Sequence, residues 1–216
     1  MTIVQPAPTA FEIETAQLYL EHYGSSVSLI LDHYPIDPNH HIVEQQALPA
    51  LDAYMDSEGW HRVGSGFFSA VYAKGGLAIK VGLKTEDSGA VYAAWCRANQ
   101  GRPGVPIIHA IDKFTQCYVV LMDRCYPNTI ARIDNHKVID RLQDVLYDEA
   151  IPLTALEETV DDIRQFFTGI ACFDIGLDNV MLDRNLNVVV TDPVSYDRAA
   201  MDDTRADDYV THSEYL

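Results

Sequence analysis

Positive charge is scarce in this chain: Lys and Arg number 15 against 32 Asp and Glu in 216 residues, a formal net charge of −17. Such a surface repels a phosphate backbone, which argues against direct DNA or RNA binding. The acidic surplus either keeps the protein in solution or meets a basic protein surface. Cysteine is sparse as well. Cys96, Cys117, Cys125 and Cys172 form no C-x-x-C pair and lie in apolar stretches, so no disulfide framework is expected and reduced, buried thiols of a cytosolic protein are. Long apolar runs are missing, and MTIVQPAPTAFEIE has no basic stretch followed by an apolar one. Neither a membrane span nor an export leader is expected. Internal repeats and low-complexity tracts are absent too. What is present is 48% hydrophobic and 22% charged residues, the balance of a globular protein, in a length that allows one domain or a tight pair of lobes.

Residues 11–23 and 41–56 read as two helices, with Gly24 and Gly59 as stops and Pro49 as a kink or break. The intervening YPIDPNHH is turn chemistry, and the adjacent His40 and His41 are poorly spaced for chelating one metal. From Trp60 the texture changes to short apolar runs separated by glycine. WHRVGSG, FFSAVYA and LAIKVGL, with a turn at Lys74-Gly75-Gly76, predict three antiparallel strands. A helix follows from Thr85 or Asp87 through SGAVYAAWCRANQ and ends at GRPGVP. IIHAIDKF and CYVVLMD, turning at Thr115-Gln116, supply two further strands.

Beyond Asp123 the pattern is helical, over 135–150 and 154–171. Thr154 and Glu157 form a capping box, and Leu156, Val160, Ile163, Phe167 and Ile170 recur at helical spacing. Then come CFDIGLDN, two short strands (VMLD and NVVVTD) joined at Arg184-Asn185, and an acidic tail from Asp197. The fold class expected is α+β, organised as a helical extension over 1–58, a sheet lobe over 59–123, a small lobe over 124–196 and the tail over 197–216.

Three motifs fall in one order. Gly64-Ser65-Gly66 stands between two strands, where glycine lets backbone amides approach a polyphosphate, although a plain hairpin turn explains it equally well. Leu77-Ala78-Ile79-Lys80 matches the V-A-I-K pattern, whose lysine reaches the α and β phosphates; an exposed strand lysine is the alternative. Asp174-Ile175-Gly176-Leu177-Asp178-Asn179 contains D-x-x-x-x-N, and Asp192 ends the apolar strand that follows. A hairpin between them returns Asp192 beside Asn179, so one amide oxygen and one carboxylate, both hard ligands, can hold Mg²⁺ on a nucleotide.

This layout resembles the eukaryotic-like protein kinase fold. More closely, GSGFFSAVY, AIKVGLKTEDSGAVYAAWCRANQGRPGVP, FDIGLDNVML and TDPVSY resemble the early serine/threonine protein kinases of T7-like coliphages, over roughly residues 60–125 and 160–196. The resemblance implies a two-lobe fold with a five-stranded antiparallel N-lobe sheet and a reduced helical C-lobe. It implies ATP and Mg²⁺ as cofactors. Gly64, Ser65, Gly66 and Ser69 would cover the phosphates, Lys80 would pair with them, Asp174 would be the catalytic aspartate, and Asn179 and Asp192 would be the metal ligands. Met122, in Leu121-Met122-Asp123, falls at the hinge that meets adenine. It also implies host proteins as substrates, among them components of transcription and RNA processing, in the cytoplasm of the infected bacterium.

The sequence departs from the general kinase pattern in places. Cys172-Phe173 stands for His-Arg before the aspartate, Asp192-Pro193-Val194 stands for D-F-G, and only residues 193–216 follow Asp192. Residues 88–99 hold no acidic partner for Lys80, which leaves Glu86 as the candidate. Two rivals accompany the kinase reading: a pseudokinase-like acidic protein that inhibits a host protein by binding, and a small-molecule kinase of the aminoglycoside type.

Overall fold

In a computed structural model the protein is described over residues 4–34, 37, 40–83, 88–130, 135–147 and 151–195. Two compact units divide these residues. One comprises 5–93 and 108–124, the other 94–107 and 125 onward.

The first unit is built on a five-stranded antiparallel sheet of β1 (His61–Ser65), β2 (Ser69–Lys74), β3 (Leu77–Gly82), β4 (Ile108–Lys113) and β5 (Tyr118–Asp123), in the order β1-β2-β3-β5-β4. The five expected strands are all present. Gly75 turns β2 into β3 with φ +59, a left-handed conformation that suits glycine. Side chains alternate across the sheet. Ala70, Tyr72, Ile79, Val81, Val119 and Leu121 point into a core that they share with helices α1 (Ala10–His33) and α2 (Ala47–Ser57). Lys80, facing Val71 and Val120 in register, belongs to the opposite face.

The helix α1 begins at a capping box, Thr9 with Glu12. Ala16, Leu20, Tyr23, Val27 and Leu31 form its buried stripe, a spacing of three and four that keeps one side toward the sheet. Gly24 does not stop this helix, contrary to expectation. The Phe114 ring lies 2.0 Å from where a Cβ on Gly24 would stand, so the glycine serves close packing. Pro49 does not break α2 either. It occupies the third helical position, in the first turn, where the missing N–H has no intrahelical acceptor to satisfy. Gly59 does end α2, with φ +80. Residues 42–44 form a short 3-10 turn outside that helix.

Helix α3 (Ser88–Ala98) carries the chain from one unit to the other. The second unit holds α4 (Asn135–Tyr147), α5 (Ala155–Phe167) and two small sheets. In one, β6 (Tyr126–Pro127), β8 (Val180–Leu182) and β9 (Val188–Val190) pair in the order β6-β8-β9; in the other, β7 (Cys172–Phe173) pairs with β10 (Val194–Ser195). Ile139, Leu142, Val145 and Leu146 of α4, Val160 of α5, and Ile175, Val180 and Val190 close one core. The Thr154–Glu157 capping box forms as expected. Its helix ends earlier than expected, at Phe167, because Gly169 takes φ +81, so Ile170 lies beyond it. The GRPG loop is tied to this unit: Gly104 accepts from Val190 N–H at 2.8 Å, and Arg102 pairs with Asp162.

All four cysteines are free. Cys96 and Cys117 are buried, and burial pushes the Cys117 thiol up to about 12. Cys172 is exposed, which corrects the expectation of buried thiols throughout: it sits in a two-residue edge strand with little packed over it. Among the described residues no helix is long and apolar enough to cross a membrane. The acidic segment 197–216 and residues 35, 36, 38 and 39 of YPIDPNHH lie outside the described residues.

Candidate active site

The glycine loop sits at the β1–β2 turn. Gly64 and Ser65 end β1, and the Gly66 N–H donates to the Ser69 carbonyl at 2.9 Å. The Phe67 and Phe68 carbonyls accept from the N–H groups of Ile42 and Leu83, both at 2.9 Å. Phe67 also meets His41 edge to face, with centroids 5.3 Å apart. The N-terminal segment therefore braces this loop, a role that its sequence did not announce. A Cβ on Gly64 would meet nothing within 4 Å, whereas one on Gly66 would stand 3.0 Å from the Ser69 hydroxyl. Ser69 itself is buried.

Lys80 lies at the centre of β3 and is half-buried, between the buried Ile79 and Val81. On its face of the sheet Gly82 pairs with Tyr118, and Ala78 pairs with Met122. The Tyr118 ring fills the place of a side chain at Gly82, with its Cε1 only 1.8 Å from a Cβ built there. Its hydroxyl stands 2.3 Å, and the Lys80 ammonium 3.0 Å, from the corresponding point on Gly89 of α3. Two glycines thus let Tyr118 reach α3 beside Lys80. Neither was singled out from the sequence, although Gly82 and Gly89 inside a strand and a helix are the signal for such a close approach. Glu86, the candidate acidic partner of Lys80, lies outside the described residues. Met122 is in register with Ala78 and Ile108, and the Gly76 carbonyl accepts from Arg124 N–H at 2.9 Å.

In the second unit Asp174, Asn179 and Asp192 come to one end of the small sheets. The Asp174 N–H donates to the Pro193 carbonyl at 2.7 Å, and β7 pairs with β10 through Phe173 with Val194 and Cys172 with Ser195. The Asn179 side-chain amide donates to the Asp174 carbonyl at 2.8 Å. Thr191 N–H donates to the Asn179 carbonyl at 2.9 Å. The β8–β9 hairpin makes this closure, with Val180 opposite Val190, and its turn is held by the Asp183 carboxylate accepting from the N–H groups of Asn185 and Asn187, each at 2.8 Å. Asp174 is exposed, while Asn179 and Asp192 are half-buried. Ile175 and Val180, buried in the core of this unit, anchor the loop that carries the polar groups.

Two α4 side chains that the sequence reading passed over complete the loop. Gln143 donates to the Ile175 carbonyl at 2.7 Å, and the Tyr147 hydroxyl donates to the Phe173 carbonyl. Burial, and then the charge of Asp174, push the Tyr147 hydroxyl above its ordinary pKa.

Among the described residues no three His, Cys, Asp or Glu side chains cluster as a metal site. The chemistry of Asn179 and Asp192 nonetheless fits Mg²⁺: the amide nitrogen of Asn179 donates to the Asp174 carbonyl, so its amide oxygen, with the Asp192 carboxylate, would offer that ion two hard oxygen donors.

Comparison with curated proteins finds no match. A family model described as Bacteriophage T7 protein kinase 0.7 matches residues 30–216, which include every residue of the loop, the strand lysine and the aspartate–asparagine segment. A kinase family implies ATP as phosphoryl donor. The chain belongs to the bacteriophage T7 protein kinase 0.7 family.

Proposed function

We propose that this protein is a serine/threonine protein kinase, a two-lobe kinase-like fold with a reduced C-lobe, that transfers the ATP γ-phosphoryl group to host proteins early in infection. The observation that carries the reading is the closure of the loop: Asp174, Asn179 and the turn at Asp192 are tied together by the bonds Asp174 to Pro193, Asn179 to Asp174 and Thr191 to Asn179. Three polar groups that lie apart in sequence are supported at one place on a sheet edge, in a member of a kinase family.

In this reading Asp174, exposed at the end of β7, orients the serine or threonine hydroxyl of the acceptor and takes its proton. Lys80 pairs with the ATP phosphates, and the loop of Gly64, Ser65, Gly66 and Ser69 lies over them. The main chain at Met122 meets the adenine. Asn179 and Asp192 hold Mg²⁺, which when bound neutralises charge on the phosphate oxygens. Little covalent chemistry is asked of the protein, so positioning and charge neutralisation supply most of the rate. The acidic surface, −17 in net charge, favours basic acceptor proteins, and host transcription and RNA-processing components are the proposed class. The cytoplasm of the infected cell is the proposed location.

The test is the identity of the phosphorylated group. Purified protein incubated with γ-labelled ATP and a basic acceptor protein should yield phosphoserine or phosphothreonine. Label confined to an aminoglycoside-type small molecule, or to phosphotyrosine, would overturn the specificity. Inhibition of a host protein by Asp174→Ala as strong as by the wild type, with no transfer by either, would favour the binding-module reading.

A further inference from the structure

The main chain around Asp174 is held in an unusual way. Three consecutive carbonyls, those of Phe173, Asp174 and Ile175, each accept from a side chain: the Tyr147 hydroxyl, the Asn179 amide at 2.8 Å and the Gln143 amide at 2.7 Å. Gln143 and Tyr147 are four residues apart on α4 and so lie on one face of it, one turn above the other. Their two bonds fall on the carbonyls of the residues before and after the aspartate.

We propose that Tyr147 and Gln143 are positioning residues for Asp174, an α4 clamp that fixes the direction in which the carboxylate leaves the backbone; this rests on the kinase reading above. The alternative, that both residues only fill space, fits poorly with their surroundings. Tyr147 is 56% exposed, so its ring adds little to the core, and Gln143 is half-buried and polar. Packing of α4 is carried instead by Ile139, Leu142, Val145 and Leu146, and Gln143 and Tyr147 flank that stripe. The Tyr147 ring stands edge-on to Phe173 with centroids 6.5 Å apart, which sets the ring where its hydroxyl reaches the carbonyl. The hydroxyl is protonated at neutral pH like any tyrosine's, and burial first and then the Asp174 charge raise its pKa further. The Asp174 N–H is already committed to Pro193. The peptide plane before Asp174 is thus held by Tyr147 and Pro193, the plane after it by Asn179, and the next one by Gln143, so a turn of any of them breaks a bond.

A carboxylate misplaced by a fraction of an ångström loses rate without losing ATP affinity. The experiment compares wild type, Tyr147→Phe, Gln143→Met and Asp174→Ala in phosphoryl transfer, measuring kcat, the KM for ATP and the melting temperature of each. The clamp predicts that Tyr147→Phe and Gln143→Met each lower kcat about tenfold or more, with KM for ATP within about twofold of wild type and melting temperatures close to it. Wild-type kcat in both variants, with Asp174→Ala inactive, overturns the clamp and leaves the kinase reading standing. A kcat that falls only as far as the folded fraction falls also overturns it, since the two residues are then merely structural. Asp174→Ala as active as wild type overturns the clamp and the assignment of Asp174 together.

Discussion

The side-chain amide of Asn179 donates to the main-chain carbonyl of Asp174 at 2.8 Å. That single bond spans the D-x-x-x-x-N segment and closes it into a loop, while the Asn179 carbonyl receives Thr191 from the strand end that leads to Asp192. The asparagine is therefore a hub: its nitrogen shapes the aspartate's main chain, its carbonyl fixes the approach of the second carboxylate, and its amide oxygen is the atom proposed to meet the cation. A residue with these three connections is poorly replaced by aspartate, which has no donor for the Asp174 carbonyl.

Gly24→Ala is expected to destabilise the protein. Helix propensity alone favours alanine over glycine by about 0.8–1.0 kcal/mol. The new methyl, however, would stand 2.0 Å from the Phe114 ring, and overpacking of a built core costs about 1–3 kcal/mol. Chemical denaturation should show a net loss, and Phe114→Ala in the same chain should remove the penalty specific to Gly24→Ala. A gain in stability from Gly24→Ala would show that the Phe114 ring yields and that the glycine is not needed for close packing.

Gly82→Ala probes the arrangement beside Lys80. A Cβ there would stand 1.8 Å from the Tyr118 ring, which is fully buried and cannot swing away. The midpoint of unfolding should fall by the equivalent of about 1–3 kcal/mol or more. Tyr118→Phe keeps the ring and removes the hydroxyl near the Lys80 ammonium, so it should leave the unfolding midpoint nearer to wild type while lowering phosphoryl transfer. Unchanged transfer would show that the hydroxyl does not help place Lys80.

Glu157 predicts the pH dependence of the second unit. Burial works against its charge, but the N–H groups of Leu153 and Thr154 and the Arg141 guanidinium outweigh that cost and hold the carboxyl below its ordinary pKa. A group with a depressed folded-state pKa adds stability above its unfolded pKa, near 4.3, and loses it as pH falls through the folded value. Wild type should thus lose stability between about pH 5 and pH 3 more steeply than Glu157→Gln, with unfolding midpoints followed across that range. Parallel curves for the two proteins would contradict the assignment.

The sheet and the loop were legible because local pattern decides them. Alternation in LAIKVGL and CYVVLMD, a two-glycine turn at Gly75-Gly76, and the short hairpin between VMLD and NVVVTD all act over a few residues. The capping box at Thr154 is of the same kind. Gly24 was misread because a glycine inside a helical pattern has two meanings, and the ring that decides between them, Phe114, is remote in sequence. Pro49 was misread by one turn, since the chemistry that ends a helix also begins one. Gln143 and Tyr147 gave no signal at all. A side chain that serves a backbone carbonyl of a residue 26 or 32 positions away leaves no periodicity behind it.

The central claim is that Lys80, Asp174 and Asp192 perform one phosphoryl transfer, and the rate of γ-phosphate transfer to a basic acceptor protein tests it most directly. Wild type should transfer label, while Asp174→Ala should be slower by about 10²–10⁴-fold, the contribution of a placed general base. Lys80→Ala and Asp192→Ala should abolish labelling. Transfer at the wild-type rate in all three variants would contradict the account.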